Sequence, residues 1–221
     1  MDGMIPLKDE NPTSRFPIIT ISLIIVNLIL FFYEISLGKG LELFIQSHGV
    51  IPVRLMEGNP NAFPTLFTSM FLHGGWLHVL GNMLYLWIFG DNVEDSMGHL
   101  RFLIFYLFCG LIATFTHIFV SANSQIPTIG ASGAIAGVLG GYLLLFPKAR
   151  VLTLIPIFFF IRIVRLPAYF LLSFWLILQL FYGFVSLPGT EISGGVAWFA
   201  HIGGFFGGLI LIKFFQKKNR R

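Results

Sequence analysis

The chain has 221 residues, of which 56% are hydrophobic and only 11% charged, with a mean hydropathy of +0.83 and a net charge of +4. A soluble domain carries roughly 25% charged residues, so an ordinary water-soluble globule is excluded and lipid is the solvent that fits. A single cysteine, Cys109, excludes a disulfide framework, and nothing resembling a polar linker divides the chain.

In chain order, the first apolar run, Ile18 to Ile35, follows Lys8 and Arg15. Bulky Phe31, Phe32 and Tyr33 stand where a signal peptide would need small residues for cleavage, so the run reads as an uncleaved span. Counting it, six apolar segments lie at about 18–37, 75–90, 102–121, 132–146, 167–187 and 195–215. Each approaches or reaches the ~20 residues that cross a hydrocarbon core of ~30 Å. They are continuous rather than alternating, which selects helices over a barrel. The predicted fold is therefore all-α: a polytopic membrane protein with a tail at 1–17, a six-helix membrane domain at 18–215 and a basic tail at 216–221. An even span count puts both termini on one side. Twelve of the fourteen Lys and Arg fall there, and only Lys39 and Arg54 fall opposite. By the positive-inside rule, the side holding both termini is cytoplasmic.

Two segments do not read as spans. The outer stretch 38–74 has few charges and carries Leu43, Phe44, Ile45, Val50, Ile51, Phe63, Leu66 and Phe67, as expected of a loop partly in the outer leaflet. Val151 to Val164 is apolar but interrupted by Pro156 and Arg162, with Arg165 just beyond. It reads as a segment at the inner interface.

Polar groups inside spans are costly and mark function. The second span has His78 and Asn82, at i and i+4 on one face. The fourth opens with Gly130-Ala131-Ser132-Gly133-Ala134, and the sixth carries His201. The fourth is short, about 22 Å at ~1.5 Å per residue, and Lys148 and Arg150 pin its inner end. The deficit is on the outer side, so all four groups converge near one level of the outer leaflet. Small-residue stripes Ser132, Ala136, Gly140 and Ala197, His201, Gly204, Gly208, with Gly133, Gly137 and Gly141 beside them, predict close packing of the fourth and sixth spans. Ser132 then meets His201. A serine hydroxyl needs a base to accept its proton, and an oxyanion needs aimed donors. The first-turn N–H of Ser132 is available, and His78 and Asn82 can supply side-chain donors. The ten Asp and Glu lie in tails, loops or span ends. The expectation is a dyad, with His201 oriented by packing or a hydroxyl rather than by a carboxylate.

The ordered set HxxxN at 78–82, GASGA at 130–134 and AHIGG at 200–204 resembles the rhomboid family. Phe71-Leu72-His73, Gly90-Asp91-Asn92-Val93-Glu94 with Gly98, and Phe146-Pro147-Lys148-Ala149-Arg150 extend the resemblance over about 65–211. It implies an intramembrane serine endopeptidase of the bacterial six-span type, in the cytoplasmic membrane. Ser132 would be the nucleophile and His201 the general base. His78, Asn82 and the Ser132 N–H would form the oxyanion hole, with Gly130 shaping the turn. Substrates would be single- or multi-span membrane proteins entering from the bilayer beside the fifth span. Phe170, Phe174, Trp175 and Phe181 would be gate residues there, and Leu187 to Gly194 a flexible cap. No cofactor, metal or nucleic acid is implied. The outer loop lacks the Trp-Arg pair of many bacterial members, and Arg54 stands alone. His48 and His117 show no partners in the sequence and read as structural. The rival reading is a catalytically inactive rhomboid-like protein that binds membrane clients, although inactive relatives usually lack the serine or the histidine. A metal carrier using His73, His78 and His201 is a third; zinc favours Cys, Asp or Glu alongside His, and none is placed to help.

Overall fold

The computed structural model describes residues 4–157, 160–186 and 196–217. Strand β1 (Ile5–Asp9) precedes helix α1 (Ile18–Ser36). Three short helices follow, α2 (Leu41–His48), α3 (Pro52–Met56) and α4 (Thr65–Thr68). Then come the long helices α5 (Trp76–Met97) and α6 (His99–Val120) and the 14-residue α7 (Ser132–Leu145). A hairpin of β2 (Arg150–Ile157) and β3 (Phe160–Pro167) leads into α8 (Ala168–Val185), and α9 (Trp198–Phe215) closes the bundle.

Each of the six expected spans holds a helix; five end within about three residues of the predicted limits, whereas α5 runs seven residues past position 90. Among the described residues, four of them, α1, α6, α8 and α9, are long and apolar enough to cross a membrane. α7 is shorter, and α5 carries Asp91, Glu94 and Asp95 near its C-terminal end. Those acids have structural employment. α1 has no side-chain cap of its own at Pro17. Instead, Glu94 accepts from Ile19 N–H at 2.9 Å, Thr20 N–H at 2.8 Å and the Thr20 hydroxyl at 2.7 Å. A helix N-terminus has unpaired N–H groups and partial positive charge, so one buried carboxylate fastens α1 to α5. At the other end of α1, buried Glu34 accepts from His73 N–H at 3.2 Å.

The all-helical expectation is corrected by a three-stranded antiparallel sheet in the order β1-β2-β3. Val151 to Val164, read as an interfacial segment, forms most of the hairpin, with Arg150 opposite Pro167 and Val151 opposite Leu166. The β-branched residues of RVLTLIPI and FIRIVRLP suit a pleated, half-buried surface, and Val151 and Thr153 are fully buried. The segment 1–17, read as a tail, supplies the third strand, with Ile5 opposite Leu154 and Asp9 opposite Val151. Asp9 accepts from the Tyr142 hydroxyl at 2.7 Å, and Glu10 takes the Arg165 guanidinium at 2.6 Å. Asn11 and Asn92 are also hydrogen-bonded. The sheet therefore braces the α7–α8 connection.

The segment 38–74, expected to lie partly in the outer leaflet, pairs a small core with exposed apolar side chains. Val50 and Leu66 join Ile118 in a small core of their own, while Leu43, Phe63 and Phe67 remain exposed. Arg54 does not stand alone: its Nη1 donates to the Gln46 carbonyl at 2.7 Å. His48 and His117 have partners as well, Ser47 Oγ at 2.8 Å and Thr128 Oγ1 at 2.9 Å respectively.

Candidate active site

The start of α7 is set by the turn before it. Gly130 has φ +127°, a conformation glycine adopts without a steric penalty, and its N–H donates to Ser69 O at 2.9 Å. A Cβ on Gly130 would lie only 2.7 Å from His78 Nε2. Any other residue would be strained in backbone and blocked in space. The bridge between Val50 and Thr128 holds the extended approach to this turn. Ser132 thus stands at the first residue of α7, with its N–H among those that have no intrahelical partner, and the His78 ring stands beside the turn.

The position of α9 follows from glycine. In lipid, helices gain little from apolar burial against each other, so association depends on close packing. A Cβ at Gly204 would fall on the carbonyl of Gly133, one at Gly208 on the carbonyl of Gly137, and one at Gly140 on the carbonyl of Phe205. The expected seam between the fourth and sixth helices is therefore present, and the two backbones touch along it. At the N-terminal ends of both helices, the seam brings Ser132 Oγ within 2.8 Å of His201 Nε2. Sixty-nine residues separate the two in the chain.

The other nitrogen, His201 Nδ1, lies 2.8 Å from Gln179 Oε1. An amide oxygen only accepts, so this contact is a hydrogen bond when the proton sits on Nδ1, the tautomer that leaves the Nε2 lone pair toward the serine hydroxyl. The expected orienting group, packing or a hydroxyl, is thus corrected to an amide carbonyl on α8. Trp175 and Trp198 flank the imidazole, with ring centroids 5.8 and 6.2 Å away.

On α5, His78 Nδ1 accepts from Gly74 N–H at 3.3 Å. One turn further, Asn82 is buried, and its amide nitrogen has no partner among the described residues. The gate residues divide. Phe170 and Phe181 are more than half-exposed or nearly so on the outer face of α8, while Trp175 turns inward onto His201. Phe174 and Trp175 line a narrow cleft between α8 and α5, together with Met4, Tyr85 and Leu171. The expected cap at 187–194 lies outside the described residues. Gln179 escaped the sequence reading, although a lone amide in an apolar helix carried the same signal as His201.

The rhomboid domain model matches residues 60–218, well over half of the chain. The chain belongs to the rhomboid family. This rhomboid is 33% identical over 171 residues to RHOMBOID-like protein 4 of Arabidopsis thaliana, covering 77% of the chain and 38% of the relative. It is 35% identical over 115 residues to Presenilin-associated rhomboid-like protein A, mitochondrial, of Danio rerio, covering 49% and 30%. With Rhomboid-like protein 11, chloroplastic, of Arabidopsis thaliana it shares 32% identity over 109 residues, covering 48% and 38%. The chain thus spans less than half the length of these relatives. It is a membrane protein; the names of these relatives point to mitochondria and chloroplasts and lend no support to the expected bacterial cytoplasmic membrane.

Proposed function

We propose that this rhomboid is an intramembrane serine endopeptidase, with Ser132 as nucleophile and His201 as general base, acting on transmembrane segments of other membrane proteins. The observation that carries the reading is the 2.8 Å contact between Ser132 Oγ and His201 Nε2, with Gln179 Oε1 2.8 Å from Nδ1 on the other side of the ring. In that arrangement the hydroxyl proton passes to Nε2 as Oγ attacks the scissile carbonyl. The carbonyl oxygen becomes an oxyanion, and the donors available to it are the Ser132 N–H, the Asn82 amide and the His78 ring. Nε2 then hands its proton to the leaving amine. Water repeats the sequence on the acyl-enzyme, regenerating Ser132. The donors are fixed by folding, so the reaction incurs little reorganisation cost.

The topology proposed with it is six spans, an inner side that holds both termini and the sheet, and an outer side that holds the dyad. Substrate reaches the dyad from the bilayer along α8, and the Phe174–Trp175 cleft marks the entry side. The test is cleavage of a single-span substrate by the purified protein in detergent and in proteoliposomes. The wild type should cut it, with or without a metal chelator. Ser132→Ala and His201→Ala should lose cleavage and keep the wild-type melting profile. Cleavage that survives Ser132→Ala overturns the protease reading. Tight substrate binding without cleavage by the wild type would favour the client-binding alternative.

A further inference from the structure

We propose that Gln179 is a positioning residue that holds His201 in its base tautomer, so that the dyad is competent only while α8 is docked on α9. This rests on the dyad reading above.

A neutral imidazole has one N–H and one lone pair, and a partner on one nitrogen decides which nitrogen has which. His201 can accept from Ser132 through Nε2 only if the proton sits on Nδ1. Gln179 Oε1 is the acceptor that faces Nδ1, at 2.8 Å. The same orientation of the amide lets Gln179 Nε2 donate to the carbonyl of Trp175 at 3.4 Å. A flipped amide would aim an NH2 group at Nδ1 and leave that carbonyl facing an oxygen. Gln179 is only 1% exposed, so water has no access to replace it while α8 is in place.

Both groups that hold the imidazole from this side, Trp175 and Gln179, lie on α8 at i and i+4, one face of one helix. α8 is held differently from the α7–α9 pair. Its small residue at the contact, Gly183, meets side chains of α9: a Cβ there would lie 3.2 Å from Ile202 Cδ1 and 3.5 Å from Trp198 Cβ. Its opposite face, including Tyr169, Ile177 and Phe184, is exposed. Ser132 and His201 stay together through the glycine seam if α8 moves, but the Nδ1 acceptor leaves with α8. The imidazole is then free to take the other tautomer, whose Nε2–H cannot accept from serine. An amide suits this place: it orients the ring without bringing a carboxylate into the membrane, which is expensive.

The test uses the full chain in micelles with 15N-labelled histidine, alongside cleavage kinetics. In the wild type, His201 should show the Nδ1–H tautomer. Gln179→Leu removes the acceptor at similar size. It should lower kcat by at least about tenfold with KM changed less than about twofold, and should shift His201 toward the Nε2–H form. Gln179→Glu restores an acceptor. It should recover kcat to within a few-fold and return His201 toward the Nδ1–H tautomer. Gly183→Leu, which wedges α8 from α9 and leaves Ser132, His201 and Gln179 unchanged, should reproduce the tautomer shift. Wild-type kcat and an unchanged His201 tautomer in Gln179→Leu would overturn the proposal. A tautomer shift in Gln179→Leu without one in Gly183→Leu would overturn its dependence on α8. The tautomer is read whether or not the protein cleaves, so an inactive wild type would refute the protease reading and leave this result to be judged by itself.

Discussion

Two helices meet α9 at the site, and they meet it in opposite ways. α7 approaches mainly with glycines against backbone carbonyls, at Gly133, Gly137 and Gly140. α8 approaches with Trp175, Gln179 and Gly183, while Phe170, Phe181 and Phe184 face outward. Backbone-to-backbone contact has one geometry, whereas a side-chain interface has rotamers to spend. In the proposed mechanism this difference divides the tasks: the rigid seam sets the distance between Ser132 and His201, and the softer contact is where α8 supports the imidazole.

The contrast is broken most severely at the seam. Gly204→Val places its branch on the Gly133 carbonyl and should force α9 away from α7. Cleavage should fall to background, as in Ser132→Ala, a loss of roughly 10⁴-fold or more, and the melting temperature should drop in the same sample. Next in size, Asn82→Ala leaves the seam intact and removes one donor. Its kcat should fall by roughly 10²–10³-fold with little change in melting, the cost of about 2.7–4 kcal/mol for one oxyanion donor. On the softer side, Gly183→Ala meets side chains that can give by a few tenths of an ångström. Calorimetry should find it destabilised by no more than the about 1–3 kcal/mol of ordinary overpacking, with activity lowered only a few-fold. Equal damage from Gly183→Ala and Gly204→Val would erase the distinction between the two interfaces.

The smallest effect lies at the end of the bundle that holds the sheet. Burial raises the Asp9 carboxyl from 3.8 to about 6, against the opposing hydrogen bond from Tyr142. The folded state therefore holds this proton more tightly than the unfolded chain does. Its stabilising contribution is complete below about 3.8 and is lost as pH rises through about 6. Thermal unfolding in detergent should accordingly show lower stability at pH 7 than at pH 5. Asp9→Asn should flatten this dependence, and an unchanged slope in that variant would remove Asp9 as its source.

Most of the site could be read from the chain because the membrane exposes exceptions. Ser132, His78, Asn82 and His201 stand out in apolar runs, where each polar group has a cost, and the glycine stripes predicted which helices would meet. Gln179 carried the same signal in weaker form, since one amide among aromatic residues passes as tolerated packing. Trp175 was read as a gate residue, since an aromatic in a span fits lipid and protein equally well; only the rotation of α8 turned it onto His201. The sheet was hidden for another reason. Strand pairing between Ile5–Asp9 and Arg150–Ile157 joins segments more than 140 residues apart, and neither carries a local sign of the other.

By itself the sequence determined the solvent, the number and order of the long helices, and the two side chains that carry the proposed chemistry. Each of these is a local property: apolar length, a small-residue stripe, or a polar group where lipid penalises one. The tertiary structure alone decided how the imidazole is oriented, which face of α8 looks inward, and what becomes of the first residues of the chain. Those outcomes depend on the rotation of one helix about its axis and on hydrogen bonds between distant segments, and spacing along the chain constrains neither.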